Sequence, residues 1–172
     1  MGIREQKDAS AEGIGTWQPL ACRLDLALLG RFSATGPEGI PRTISAKKNR
    51  ALLAVLALSP GMEATRERLT GLLWGDRPEE QARSSLRQSL AALRKELGDA
   101  HEAILQVKDD TVSLCANTVG VDVSAFLKSG QADEIEPLRE AARLYRGELL
   151  ADFGNREEGF EGWLSIERAQ LR

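Results

Sequence analysis

Leu24, Leu26 and Leu28 alternate with Arg23, Asp25 and Ala27, a period of two that predicts a half-buried strand. Gly30 and the run "ATGPEG" punctuate it, and "IPRTIS" (40–45) predicts a further short strand, so an antiparallel sheet is expected to open the fold. The period then lengthens. Leu52, Leu53 and Leu56 mark the core face of a helix in "AKKNRALLAVLALS", with Ser45 placed to cap it and Pro60-Gly61 to end it. Lys47, Lys48 and Arg50 crowd its first turns, where cations oppose the helix dipole. Thr65 is placed to cap a short helix, "RERLTGLLW", with Leu69, Leu72 and Leu73 inward. After the turn "GDRP", Pro78 suits the start of a third helix that runs to Gly98. In that helix Leu86, Leu90, Leu93 and Leu97 form a narrow apolar stripe with Ala82 beside it.

Beyond Gly98 the strand period returns. Residues 104–107 and Thr111-Val112-Ser113-Leu114 flank Lys108-Asp109-Asp110, the pattern of a β-hairpin. "ANTVG" reads as a boundary. The segments "DVSAFLKS", "EIEPLREAARLYRGELL" and "GFEGWLSIERAQLR" follow with helical spacing. Leu138, Ala141, Ala142 and Tyr145 share one face, and Phe160, Trp163, Leu164 and Glu167 lie near another. The expected organisation is a flexible tail over 1–19, a first domain over 20–116, and the start of a helical second domain over 122–172. Arg172 falls inside an apparent helix, so that second domain is expected to continue. Part of its apolar surface is expected to pack back on the first domain. A chain ending near Val121 should then keep the first domain's function.

The net charge of −3 argues against a generic polyanion binder, but it is unevenly spread. Residues 20–115 hold 14 Lys and Arg against 12 Asp and Glu, whereas 116–172 hold 7 against 11. The first part is mildly basic and the second acidic, as expected where one domain meets a nucleic acid. No apolar run approaches the roughly 18 residues of a membrane span, so no membrane partner is expected. Cys22 and Cys115 form no CxxC pair and read as small, buried, reduced thiols of a cytoplasmic protein. The chain shows no phosphate-binding loop, nucleophile elbow or zinc motif. Its one histidine, His101, lies in a polar loop and reads as solvated. No catalytic residue, cofactor or metal site is expected.

The third helix carries the candidate chemistry. Opposite its leucines stand Ser84, Arg87, Gln88, Ala91 and Lys95, with Arg83 and Arg94 at one edge. Long donors separated by small residues suit a helix entering the major groove, where Arg and Gln reach base edges and Ser reaches phosphate. A solvated amphipathic helix explains the same face without DNA. Context favours the groove: a capped short helix, a turn, then a long basic helix is a helix-turn-helix, and the hairpin after it can serve as a wing.

These residues resemble a known family. "ALLAVLALSPG", "RERLTGLLWGDRPEEQARSSLRQSLAALRKELG" and "ILQVKDDTVSL" look like the winged helix of activators of the Streptomyces antibiotic regulatory protein (SARP) type, related to OmpR/PhoB effector domains. "VDVSAFLKS", "EAARLYRGELLADF" and "WLSIERAQLR" resemble the start of the bacterial transcriptional activation domain of that family. The resemblance implies an α+β fold: a winged helix-turn-helix with an N-terminal antiparallel sheet and a C-terminal wing hairpin, then an all-α, TPR-like segment. It implies double-stranded DNA as partner, at promoter direct repeats, and recruitment of RNA polymerase. By position, Arg83, Ser84, Arg87, Gln88 and Ala91 fall on the recognition face, with Arg94 and Lys95 nearer phosphates. Lys47, Lys48, Arg50 and Lys108 are weaker backbone candidates. Ala91 and Ala92 stand where winged-helix relatives often carry Arg, which points to cooperative binding as a homodimer on DNA. The competing reading is a protein-interaction module, or the regulatory arm of a larger signalling protein, with the winged helix as scaffold.

Overall fold

The computed structural model describes residues 24–131, 134–154 and 157–171. The expected N-terminal tail and Cys22 lie outside them. Strand β1 (Leu24–Ala27) forms where the alternation predicts it and pairs antiparallel with strand β2 (Ser33–Thr35), which lies partly in the run that reads as punctuation, with Leu26 opposite Ala34. "IPRTIS" does not form the further strand expected of it. It makes a single bridge, Pro41 to Thr35, flanked by the Gly36 N–H donating to the Ile40 carbonyl at 2.7 Å and the Arg42 N–H donating to the Ala34 carbonyl at 2.8 Å.

Helix α1 (Lys47–Leu58) is the hub of the core. Leu52, Leu53, Ala54, Val55 and Leu56 are all buried, so the face is wider than three leucines indicated. A helix enclosed on all sides needs no polar stripe. Ser45 does not cap it: Ala46 holds that position, and the Ser45 N–H donates to Glu96 Oε1 at 2.9 Å. Strand β3 (Glu63–Thr65) leads directly into α2 (Arg66–Trp74), where Thr65 Oγ1 accepts from the Arg68 N–H at 3.1 Å, the cap its sequence predicts. Helix α3 (Glu79–Leu97) buries Ala82, Leu86, Leu90, Leu93 and Leu97 and ends at Gly98, whose φ of 62° favours glycine.

A one-turn helix α4 (His101–Ile104) follows, and His101 is not simply solvated: its Nδ1–H donates to the Gly98 carbonyl at 2.8 Å. Strands β4 (Leu105–Lys108) and β5 (Thr111–Leu114) form the expected hairpin, and β3 joins it in the order β3-β5-β4. Cys115, just beyond, is free and only half-buried.

The chain then returns to its beginning. Val119–Val121, within and just after the stretch that reads as a boundary, is strand β6. It pairs parallel with β1, so the first sheet is mixed, ordered β2-β1-β6, rather than purely antiparallel. Helix α5 (Asp122–Gly130) starts at once, and the buried Asp122 carboxylate accepts from the Leu28 and Leu29 N–H groups at 2.9 and 3.0 Å. Those amides lie just past β1, where strand pairing no longer serves them.

Helix α6 (Ile135–Leu144) packs on α5. It stops six residues before the helical pattern does, because Leu149 bridges Leu29 and the 150 and 151 amides donate to the Leu28 and Gly30 carbonyls at 2.8 Å. Gly30 permits this approach: at its φ of +101° a Cβ would stand 3.3 Å from the Arg146 backbone. Buried Leu150 takes a φ of 50°, strained for leucine, and Arg168 on α7 (Glu158–Gln170) donates to its carbonyl at 3.1 Å. Of the face expected on α6, only Ala141 is buried, while Leu138 and Tyr145 are exposed. Phe160, Trp163 and Leu164 of α7 are buried in the same core as α1, α2 and α3. The acidic segment does pack back, against α2, with the Gly159 Cα edge set on the Gly71 carbonyl. A chain cut near Val121 would lose part of that common core.

Candidate nucleic-acid interface

Helix α3 spans 19 residues, about 28 Å at 1.5 Å per residue. Its leucines hold it to α1 and α2, and this turns Arg83, Arg87, Gln88, Ala91, Arg94 and Lys95 to solvent, with Ser84 half-exposed. All seven residues expected on the reading face therefore share one outer surface. Arg83 is paired with Glu79 one turn back at 2.5 Å, but both ends are well exposed, so the pair can exchange for a phosphate at little cost. At the far end Gly98 donates to the Arg94 and Lys95 carbonyls, and Glu96 turns inward to Ser45 and to buried Asn49. The two cations are left on the last turn, where the dipole favours them.

A groove of about 1220 Å³ runs between α2 and the first half of α3. Arg83, Ser84 and Arg87 line it from α3, and Arg66 and Thr70 from α2. Arg77, in the turn between the helices, reaches across to Ser85 Oγ at 2.9 Å. Arg66, Thr70 and Arg77 escape a reading built on the α3 face alone. Their signal is faint: two arginines at the edges of the helix-turn-helix, visible only once the turn brings them beside α3. Glu67, Glu79 and Glu80 share the groove, so it is electrically mixed rather than strongly positive.

The wing is tied to this surface by β3, which runs directly into α2, and by Arg66. The Arg66 N–H donates to the Asp110 carbonyl and Arg66 Nε to the Asp109 carbonyl, both at 2.8 Å. Thr65 faces Thr111 in the adjoining register. The hairpin turn is thus pinned to the first residue of α2, and Lys108 is exposed just before that turn.

Lys47, Lys48 and Arg50 are placed differently. Lys47 Nζ donates to the Gly154 carbonyl, and Lys48 Nζ donates to the Leu73 carbonyl and pairs with Glu157 at 2.5 Å. Arg50 stands 3.6 Å from Asp152 and 5.8 Å from the Phe153 ring. Cations at the N-terminal end of α1 are disfavoured by its dipole, and the C-terminal segment supplies the compensating carboxylates and carbonyls. The structure thus turns these three toward the residues just before α7 and the end of α2, and does not bring them to the α3 surface. Among the described residues, no group of three or more His, Cys, Asp or Glu is placed to hold a metal ion, and no helix is long and apolar enough to cross a membrane.

Residues 43–110 match the family described as "Transcriptional regulatory protein, C terminal". They run from just before α1 to the turn of the wing, so the match covers the helix-turn-helix and its hairpin. This is an OmpR/PhoB-type domain. The chain is also similar to the transcriptional regulatory protein EmbR of Mycobacterium tuberculosis and Mycobacterium bovis, at 31% identity over 146 residues, 76% of this chain and 37% of that protein. A solved structure of Mycobacterium tuberculosis EmbR, in complex with a low affinity phosphopeptide, superposes with a TM-score of 0.68 at 26% identity. It covers 87% of this chain and 41% of that one, a share that only a match reaching beyond the winged helix can attain. EmbR is a SARP-family regulator, and the likeness to the SARP type extends over both parts of the chain. The chain spans about two-fifths of the length of these relatives.

Proposed function

We propose that this chain is the DNA-binding part of a transcription activator, which reads promoter direct repeats with α3 and recruits RNA polymerase. The observation that carries the reading is the two-sidedness of α3. Five side chains lock it to the core, and the opposite face presents Arg83, Ser84, Arg87, Gln88 and Ala91 for recognition, with Arg87 and Gln88 able to reach base edges and Arg94 and Lys95 nearer phosphates. Lys108 extends the footprint through the wing. The acidic residues in the α2–α3 groove temper single-site affinity, which supports cooperative occupation of adjacent repeats by two copies. Helices α5 and α6 are read as the first pair of a TPR-like activation segment over 122–172, with 20–116 as the winged helix.

Selection from a random-sequence DNA pool with the full chain tests this, followed by binding measured against salt. Arg87→Ala and Gln88→Ala should each relax specificity and weaken the selected site by about 1–3 kcal/mol. Arg94→Ala should weaken all sequences alike and lower the salt slope by about one. If Arg87→Ala changes neither specific nor random DNA binding, the assignment of α3 is wrong. If the pool yields no enriched sequence, the winged helix acts as a scaffold for protein contacts.

A further inference from the structure

Arg66 opens α2 where strand β3 ends, at the joint between the helix-turn-helix and the wing. Its N–H donates to the Asp110 carbonyl and its Nε–H to the Asp109 carbonyl, so one residue grips two consecutive carbonyls of the hairpin turn. We propose that Arg66 is a positioning residue for DNA binding, whose side chain holds the wing in the place from which Lys108 meets the phosphate backbone. The proposal rests on the reading of α3 as the recognition helix and names what sets the contact beside it.

The wing turn borders the α3 surface. Asp110 and Arg66 line the same groove as Arg83 and Arg87. Across the second sheet Lys108 stands opposite Thr111, and Thr111 opposite Thr65, so these three side chains share one face of adjoining strands. Thr65 in turn caps α2. Lys108 is therefore carried on the sheet face that ends at the start of the helix-turn-helix.

The turn needs a hold of this kind. Lys108, Asp109 and Asp110 are all exposed. Beside DNA, Lys108 is attracted while the two carboxylates are repelled, so one turn is pulled in opposite directions. The β4–β5 ladder ends with Lys108 opposite Thr111, and Asp109 and Asp110 lie beyond it. Arg66 bonds their main-chain carbonyls rather than their carboxylates, which fixes the backbone of the turn against either pull. The grip also requires arginine rather than any cation. A lysine carries a methylene where arginine carries Nε, and its ammonium lies one bond further out. Lysine at this position keeps the charge and loses the donor. The main-chain N–H remains, so the turn loosens without detaching.

The test compares Arg66→Lys with the parent chain, the fold of each checked by circular dichroism. Without DNA, 15N relaxation should give order parameters near about 0.85 for the Asp109 and Asp110 amides of the parent, falling towards about 0.6 in the variant. On the DNA site selected by the parent, Arg66→Lys should bind about five- to thirtyfold more weakly, the fold-change that corresponds to ordering one residue's backbone. In a double-mutant cycle with Lys108→Met, the loss in R66K/K108M should fall well short of the product of the two single losses, because Arg66 acts through the wing. Three results would overturn the proposal: unchanged order at the turn in Arg66→Lys, parent-like affinity in that variant, or losses that multiply in the cycle. The last would make Arg66 an independent phosphate contact. None of the three touches the assignment of α3, which fails if the parent itself selects no DNA sequence, and the role given to Arg66 then falls with it.

Discussion

Two glycines three residues apart in α7 should respond to the same substitution with opposite signs. Replacing glycine by alanine inside a helix stabilises it by about 1 kcal/mol, because the backbone loses less freedom on folding. Gly162 meets nothing within 4 Å of a built Cβ, so Gly162→Ala should realise that gain. At Gly159 the same Cβ would lie 3.0 Å from the Gly71 carbonyl oxygen and 3.5 Å from Leu72 Cα. These are backbone atoms of α2, which cannot swing aside as a side chain can. Inserting one carbon into such a seam costs about 1–3 kcal/mol, which cancels or exceeds the helical gain. The two variants should therefore differ by about 1–3 kcal/mol, or roughly 2–10 °C in Tm for a chain of this size. Urea denaturation of both, with the slope against denaturant checked for constancy, measures the difference. Equal stabilisation at the two positions would mean that α7 does not rest on α2 as closely as described.

Leu90→Ala should cost about 2–5 kcal/mol, because Leu90 is 3% exposed in the stripe of α3, while Gln88→Ala on the outer face should change thermal stability by less than about 0.5 kcal/mol. Equal losses at the two sites, read by calorimetry, would misplace the stripe. Burial raises the carboxyl pKa of Glu167 above its ordinary value, against the opposing pull of a Trp163 hydrogen bond and the Arg68 charge. In the folded state Glu167 thus holds its proton to higher pH than in the unfolded chain, so its contribution to stability falls as pH rises from 4.5 through the raised value. Glu167→Gln should gain stability relative to the parent across that window, and a relative loss in denaturation curves taken at stepped pH would contradict it.

The elements with many repeats of one period were legible. Helix α3 shows its stripe over 19 residues, and Leu24, Leu26 and Leu28 alternate cleanly, so face and type both follow from spacing. The seven residues of the α3 surface follow from the same geometry, since fixing one face of a helix fixes the other. What stayed hidden depends on partners distant in sequence. Val119–Val121 is too short to show a period, and it is a strand only because β1 has a free edge to receive it. The helical pattern through Leu150 is overridden by hydrogen bonds to residues 28 and 30. Arg66 looks like an ordinary surface cation until the hairpin turn arrives beside it. Lys47 and Lys48 show in sequence only as cations at the wrong end of a helix, and their partners Gly154 and Glu157 lie more than 100 residues later.

The first sheet has a consequence for the order of assembly during synthesis. Strand β1 and the amides just past it are completed by β6 and by Asp122, 94 residues downstream of Leu28. Chains emerge from the ribosome at about 5–20 residues per second, so Leu28 waits about 5–20 s for its carboxylate partner. The three helices and the wing, made of neighbouring segments, can form in that interval, since local contacts close fast. The N-terminal hairpin must meanwhile stand with an open edge, a template for unwanted strand pairing until β6 arrives.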